Sequence, residues 1–215
     1  MRTPVRRVDP DRPDAAVIAE AARIILAGGL VAFPTETVYG LGADGTNPDA
    51  IRRVYMVKGR AFTKPLLVLI ADRSWLAGLA EAVPDAAIPL MQRFWPGPLT
   101  LTFQAAPTVP PELLGGGTTI GVRLPGPSIA FDLTRTVGRP VTAPSANRSG
   151  APNPTCAADV VIALDGEIDL ILDGGQSGDS VPSTVVDVTT APPTLIRPGR
   201  VPFDEIMRVW HGHAD

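Results

Sequence analysis

The sequence predicts a single α/β domain built on a large sheet with both parallel and antiparallel strands. Short apolar runs typical of strands alternate along the chain with amphipathic segments typical of helices. The chain has 215 residues, of which 45% are hydrophobic, and this is enough to bury one substantial core. We expect the domain to span residues 14–210, with an N-terminal extension at 1–13 and a tail at 211–215.

The helices are predicted from apolar spacing and from residues suited to helix ends. Asp14 can cap a first helix that ends before Gly28. Asn47 can cap a second helix, with Pro48 in its first turn and Gly59 after its last. Further helical patterns span residues 74–83, 85–94, 128–137, 157–164 and 203–210.

The strands are predicted from short runs of branched apolar residues. The run PLLVLIA at residues 65–71 is continuous, as in a strand that is covered on both faces. Other strands are predicted at 30–33, 99–104, 119–124, 140–143, 169–172, 184–188 and 194–196.

The cysteine and histidine content excludes several kinds of chemistry. Cys156 is the single cysteine, so an internal disulfide and a multi-cysteine zinc site are excluded. His211 and His213 lie within the last five residues, which leaves the body of the chain without an imidazole for a catalytic triad or a metal. No apolar run is long enough for a membrane span or a secretory signal, and we expect a cytosolic protein.

Basic residues cluster in two windows of a mildly acidic chain. The net charge is −3, yet residues 50–71 contain five basic residues and no acid, and residues 133–158 contain three and no acid. Concentrated positive charge in a cleft attracts phosphates or carboxylates. The windows therefore predict an anion site.

The glycines at 40, 42 and 45 match the G-x-G-x-x-G pattern of dinucleotide-binding turns. That pattern must follow a strand directly, open a helix and precede an acid by about 20 residues. Neither the spacing nor the acid is present, so we do not predict a dinucleotide site.

Two polar loops follow predicted elements and allow two interpretations each. VKGRAFTKPL at 57–66 is either a solvated helix end or a loop that wraps a triphosphate with lysine and arginine. RPVTAPSANRSGAPNPT at 139–155 is either a plain turn or a loop of small polar groups that a nucleotide can approach closely.

Seven motifs in order identify a resemblance that covers about residues 15–205. They are PTETVYGLG, KGR with KPL, FWPGPLT, TIGVRLP, APSANRSG, STVVD and IRPG. In this order the chain resembles the YrdC-type threonylcarbamoyl-AMP synthase family. The resemblance implies a single domain with a twisted mixed sheet around a deep cationic cleft, in the short form without the extra C-terminal domain of longer relatives.

The resemblance also implies a reaction. Members of the family condense L-threonine, bicarbonate and ATP into L-threonylcarbamoyl-AMP and release pyrophosphate, with Mg²⁺ bound through the phosphates and no metal ligand identified on the protein. Partner proteins then transfer the threonylcarbamoyl group to a tRNA adenosine next to the anticodon. No membrane partner is expected.

Site residues are carried over from the matching motifs. The L-threonine contacts would be Thr37, Leu69, Arg123 and Ser183. The catalytic K-x-R and S-x-N signature around the phosphates corresponds to Lys58, Arg60, Ser145 and Asn147, with the two cations expected at an exposed rim. These four would also bind ATP, together with Lys64, Thr119, Ala143, Asn153 and Arg197.

Two departures from the family pattern keep alternatives open. Leu69 stands where many relatives have histidine, and Ala61 stands where many have proline. One alternative is a paralogue that acts on a different carbamoyl or acyl substrate. Another is a non-catalytic module that binds tRNA or double-stranded RNA, although aromatic residues for base stacking make up only 5% of the chain.

Overall fold

The computed structural model describes residues 2–178 and 181–212 and has an α/β fold with helices packed against two mixed sheets. Two short 3-10 turns, Arg73–Gly78 and Asp85–Ala87, precede the third helix. The α-helices are α1 Ala15–Leu26, α2 Pro48–Lys58, α3 Ile88–Phe94, α4 Pro111–Leu114, α5 Ile129–Val137, α6 Ala157–Leu164 and α7 Phe203–Trp210.

The strands within the described residues are β1 Val5–Arg7, β2 Val31–Phe33, β3 Gly40–Gly42, β4 Val68–Leu69, β5 Leu99–Gln104, β6 Thr119–Arg123, β7 Val141–Thr142, β8 Leu170–Asp173, β9 Thr184–Asp187 and β10 Thr194–Arg197. They form a four-stranded sheet, in the order β1-β8-β2-β3, and a six-stranded sheet, in the order β10-β9-β5-β6-β4-β7. Parallel and antiparallel pairs occur in both sheets, as predicted.

The predicted helix caps are confirmed. The Asp14 carboxylate accepts a hydrogen bond from the N–H of Ala16 at 2.8 Å, at the start of α1. Asn47 caps α2 in the same way, and Gly59 ends that helix with a positive φ of 56°. The start and end of α2 are thus determined locally, and the end of α2 carries Lys58.

The glycines of β3 allow the two sheets to approach each other. A Cβ atom on Gly42 would lie 2.6 Å from the ring of Phe33 on the neighbouring strand and 3.0 Å from Val141 Cγ1 on β7 of the other sheet. Isolated bridges then join Gly40 to Ser145 and Asp44 to Val141, so β3 connects to the strand and loop around β7. The glycine pattern in this segment therefore serves packing and brings the 143–147 loop beside β3.

Two apolar clusters fill the interior. The larger cluster includes Leu101, Val122 and Tyr55, beneath the six-stranded sheet and α2. The smaller one includes Ile25, Leu133 and Leu69, where α1 and α5 pack on the four-stranded sheet and reach β4. Burial at this scale is the main force that holds the two sheets together.

Some elements were missing from the sequence prediction. Strand β1 lies in the segment predicted as an extension and pairs in parallel with β8. Strand β3 and helix α4 were also not predicted, and the helix predicted at 74–83 is a shorter 3-10 turn. Residues 213–215 of the predicted tail, including His213, lie outside the described residues. Among the described residues, no helix is both long and apolar enough to cross a membrane.

Candidate functional site

A small cavity of about 50 Å³ lies where the end of β2, the end of β6 and the loop after β7 meet. Its walls carry two guanidinium groups and several hydroxyl groups, and this composition suits a small ligand with both charge and hydrogen-bonding groups. It is lined by Thr35, Thr37, Val38, Gly40, Leu67, Arg123, Ala143, Pro144, Ser145, Asn153, Pro182, Ser183 and Arg197.

A large cavity of about 660 Å³ lies beside the small one. Its lining combines cations, threonine hydroxyl groups and apolar surface. The residues are Arg60, Lys64, Pro65, Leu66, Leu67, Thr100, Thr102, Thr119, Gly121, Pro144, Ser145, Val185, Ile196 and Arg197.

Four residues line both cavities and make them one continuous site. They are Leu67, Pro144, Ser145 and Arg197. A ligand in the small cavity can therefore reach a ligand in the large one across Ser145 and Arg197. The arrangement suits a reaction between a small molecule and a larger anionic one.

Lys58 is buried at the end of α2, with 2% of its surface exposed. Its Nζ atom donates hydrogen bonds to the Asn147 carbonyl at 2.7 Å, to Asn147 Oδ1 at 3.1 Å and to the Ser145 carbonyl. Burial and, to a smaller extent, the charge of neighbouring Arg60 together lower the pKa of the Lys58 ammonium from 10.5 to about 7. The expectation of an exposed rim was therefore wrong for Lys58, because its three acceptors lie on a loop that is remote in sequence.

The loop that accepts from Lys58 is also held by its own side chains. Ser145 Oγ donates to Asn147 Oδ1 at 2.7 Å, and Asn147 Nδ2 donates to the carbonyls of Ala151 at 2.7 Å and Pro152 at 2.8 Å. Asn147 is 5% exposed and lines neither of the two cavities. Asn147 and Lys58 thus shape the loop, whereas its neighbouring residues Pro144 and Ser145 line both cavities.

Arg123 ends β6 and is 4% exposed. Its Nε donates to the Gly97 carbonyl at 3.1 Å and its NH1 donates to Thr37 Oγ1 at 3.3 Å. Its NH2 forms an ion pair with Glu36 Oε1 at 2.5 Å. Three protein groups thus fix the guanidinium, and it contributes to the wall of the small cavity from a rigid position.

Arg197 on β10 holds Ser183 at the junction of the two cavities. Its NH2 donates to the Ser183 carbonyl at 2.8 Å and to Ser183 Oγ at 3.1 Å. Desolvation lowers the pKa of the Arg197 guanidinium, and the charges of Arg123 and Arg60 lower it further. Three neighbouring guanidinium groups repel one another, and an anion bound between them would relieve that repulsion.

Arg60 and Lys64 form the outer wall of the large cavity. Arg60 Nε donates to the Lys64 carbonyl at 3.2 Å and its NH2 to the Pro65 carbonyl at 2.9 Å, so the loop folds around the guanidinium. Burial lowers the pKa of Arg60, while Tyr55 opposes that change. Lys64 is exposed. Thr119 at the start of β6 completes this wall.

Most of the residues singled out from the sequence meet at this site. The small cavity receives Thr37, Arg123, Ala143, Ser145, Asn153, Ser183 and Arg197. The large cavity receives Arg60, Lys64, Thr119, Ser145 and Arg197. Lys58 and Asn147 lie behind the loop instead.

Leu69 is not part of the cavity wall. It is fully buried in the smaller apolar cluster, between its register partners Arg123 and Val141. Leu67 lines both cavities from the same segment of chain. The prediction that Leu69 contacts the ligand was therefore wrong, because its side chain is buried in the apolar core beside Arg123.

Thr35 and Glu36 also belong to the site, and the run Thr-Glu-Thr directly after a buried strand points to them. Thr35 lines the small cavity, and Glu36 pairs with Arg123. Thr100, which contacts Ser183 Oγ at 3.0 Å and lines the large cavity, was not predicted. It lies within an apolar strand, and no local signal marks it.

Comparison with known proteins gives a consistent result. The Sua5/YciO/YrdC family model, described as telomere recombination, matches residues 23–199. The threonylcarbamoyl-AMP synthase of Pyrococcus abyssi is 47% identical over 189 residues, which are 88% of this chain and 56% of that protein. That of Bacillus subtilis is 46% identical over 193 residues, which are 89% of this chain and 56% of that protein.

A solved structure agrees with the sequence matches. The crystal structure of P. abyssi Sua5 complexed with L-threonine superimposes with a TM-score of 0.93 at 45% identity. The match covers 96% of this chain and 61% of that one. This chain therefore spans little more than half the length of these relatives.

Proposed function

Because the chain belongs to the Sua5/YciO/YrdC family, we propose that it condenses L-threonine, bicarbonate and ATP into L-threonylcarbamoyl-AMP and releases pyrophosphate. The observation that carries the proposal is the pair of joined cavities. One is small and lined by hydroxyl and guanidinium groups, and the other is large and lined by cations. The two substrates differ in size and charge in the same way.

In this proposal the small cavity binds the amino acid. Arg123 and Arg197 supply positive charge for the carboxylate, and Thr37 and Ser183 supply hydroxyl groups. Because Arg123 is fixed by Gly97, Thr37 and Glu36, it needs little rearrangement to take part.

The large cavity binds ATP, with Arg60, Lys64 and Arg197 near its phosphates and Ser145 between the two substrates. The amine of threonine and bicarbonate form a carbamate with loss of water. A carbamate oxygen then attacks the α-phosphorus, and the bond to pyrophosphate breaks. The cations stabilise the charge that develops on both sides of that bond.

Mg²⁺ enters this scheme only as the companion of ATP. The described residues that line the large cavity include no carboxylate, and the described part of the chain contains no cluster of His, Cys, Asp or Glu that could hold a metal. When present, Mg²⁺ would neutralise phosphate charge.

The decisive experiment measures pyrophosphate release and adenylate formation with ATP, bicarbonate and each of several amino acids. The proposal expects both products with L-threonine and far less with valine or without bicarbonate. Arg197→Ala is expected to lose both products, and Arg23→Ala, on the remote exposed end of α1, is a matched arginine control. Equal turnover with every amino acid would favour the paralogue with a different substrate.

We also propose that partner proteins transfer the product to tRNA. Because tRNA is the final acceptor, we propose that the reaction takes place in the cytoplasm.

One observation favours direct RNA contact as a second function. Phe62 exposes 54% of its surface, stacks on Tyr55 with ring centroids 4.5 Å apart and lies between Arg60 and Lys64. Filter binding with single-stranded RNA tests it: Phe62→Ala should weaken binding, and equal binding would exclude a stacking role.

A further inference from the structure

Leu67 lies at the boundary between the two cavities. It is half-buried, comes directly before β4 and lines both cavities. On the neighbouring strand β6, Gly121 lines the large cavity and Arg123 lines the small one. The parallel register of β4 and β6 pairs Val68 with Val122, so Leu67 lies beside Gly121. The side chain of Leu67 is therefore at the place where β6 passes from one cavity to the other.

Gly121 keeps the surface next to Leu67 open. A Cβ atom on Gly121 would lie 3.3 Å from Leu67 Cβ and 3.5 Å from Thr100 Cγ2, so even a methyl group would crowd both neighbours. Because Gly121 lines the large cavity, the space above it belongs to that cavity. Shortening Leu67 would therefore join the small cavity to open space and would not leave a sealed void.

The small cavity has an apolar part as well as a polar one. Its guanidinium and hydroxyl groups suit the charged and polar groups of an amino acid, and its apolar walls remain for the side-chain methyl group. These walls are Val38, Leu67, Ala143, Pro144 and Pro182. Of these five residues, Leu67 and Pro144 also line the large cavity. Pro144 is fixed in its loop, because its carbonyl accepts a hydrogen bond from the N–H of Leu41 at 2.8 Å.

We propose that Leu67 is a specificity-determining residue, whose side chain closes the small cavity toward the large one and limits the amino acid to the size of threonine. The proposal rests on the proposed function, because it takes the small cavity as the amino-acid site. The cavity measures only about 50 Å³. An added methylene group would press against Leu67 and the rigid walls around it, and overfilling a packed site is unfavourable.

The test compares L-threonine with L-β-hydroxynorvaline, which has the same hydroxyl group and a side chain one methylene group longer. Pyrophosphate release is measured at saturating ATP and bicarbonate, and the ratio of the two kcat/KM values gives the discrimination. The wild-type protein is expected to prefer threonine at least about tenfold. A ratio near one would overturn the proposal without any variant.

Variants of Leu67 test the wall directly. Leu67→Ala is expected to raise kcat/KM for β-hydroxynorvaline at least about threefold above the wild-type value and to bring the ratio to about threefold or less. Leu67→Met conserves the volume and should keep the wild-type ratio. Leu114→Ala is the matched control, because Leu114 is also half-buried against an apolar cluster but lines neither cavity.

A gain with the longer amino acid separates specificity from loss of structure, because damage to the fold would lower kcat/KM for both. An unchanged or lower value for β-hydroxynorvaline in Leu67→Ala would therefore contradict the proposal. If Leu67→Ala does not fold, Leu67→Val is the milder variant, since valine suits a strand. It should give a ratio between those of the wild type and Leu67→Ala, and the full wild-type ratio would count against the role of Leu67.

The same assay distinguishes this failure from a wider one. If threonine reacts but the ratio does not respond to Leu67, only the role of Leu67 is wrong. If threonine releases no pyrophosphate with the wild-type protein, the proposed function fails as well.

Discussion

Lys58 and Arg123 are buried cations, whereas Arg60, Lys64 and Arg197 line the large cavity. Lys58 directs its hydrogen bonds to three oxygen atoms of the 145–147 loop, and Arg123 is held by a carbonyl, a hydroxyl and a carboxylate. By contrast, Arg60 and Arg197 donate mainly to backbone carbonyls, and both line the large cavity.

The difference shows that position in a cationic motif does not determine the task of a residue. An ammonium group has three protons, and those of Lys58 face three protein acceptors, so the group builds the loop that borders the cavities. Arg60 belongs to the same K-x-R motif but lines a cavity wall. The buried cations should therefore affect folding and activity together, and the cavity cations activity alone.

The largest effect is expected from Arg123→Ala. The change leaves Glu36, whose side chain is 23% exposed, without its counter-ion. Solvent screens part of the charge on Glu36, so the effect should lie at the low end of the range for a broken buried ion pair. The free energy of unfolding should fall by about 3 kcal/mol. Urea denaturation measures it, and dependence of pyrophosphate release on threonine should disappear. Unchanged stability would mean that Arg123 is not a structural cation.

Lys58→Ala should cost about 2 kcal/mol in the free energy of unfolding, because several buried oxygens lose their donor. Activity should fall with it, since the 145–147 loop loses its support. Lys64→Ala is the matched control, because Lys64 is exposed and its removal should change stability by less than about 0.5 kcal/mol. Equal denaturation curves for Lys58→Ala and Lys64→Ala would show that buried Lys58 contributes no more to stability than exposed Lys64.

Arg197→Ala should weaken ATP binding at least about tenfold, the range for a lost hydrogen bond to a charged group. Its denaturation midpoint should stay close to that of the wild type. Calorimetry with ATP, run beside Arg23→Ala, measures the first quantity. A large loss of stability with normal ATP affinity would place Arg197 among the structural cations instead.

A further expected effect is a dependence of stability on pH, which is measured as a slope and not as a single loss. The pKa of Lys58 is about 7 in the folded protein and 10.5 for a free lysine. Between these values the unfolded chain binds the extra proton, so the free energy of unfolding should rise with pH across that window. The slope, measured by denaturation at several pH values, should be smaller in Lys58→Met. An equal slope would show that Lys58 keeps its proton in the fold.

The sequence was informative wherever structure is decided by neighbouring residues. Asp14, Asn47 and Gly59 are cap residues of high preference, and the helices begin and end where they predict. The strand at 99–104 and the helices at 157–164 and 203–210 match the observed bounds. Strand β3 was missed because Gly-Leu-Gly has low strand propensity, and its pairing with β2 is a contact that local sequence does not indicate.

Distant contacts explain the errors at the site. Lys58 and Asn147 are separated by 89 residues in sequence, and nothing near Lys58 indicates that its acceptors surround it. Leu69 has the same apolar character as Leu67, yet only Leu67 reaches the cavities. The motifs predicted most of the residues that lie at the site. They did not predict how deeply each side chain is buried, because burial depends on contacts with residues distant in sequence.

The pairing of β1 with β8 has a consequence for synthesis of the chain. Thr3 binds the carbonyl of Ile168, 165 residues later, so the first strand is made long before its partner exists. At roughly 5 to 20 residues per second, a ribosome leaves that strand edge unpaired for about 10 to 30 seconds. The arginines in Val5–Arg7 keep the waiting edge charged, and charge is a common protection of unpaired strands against aggregation.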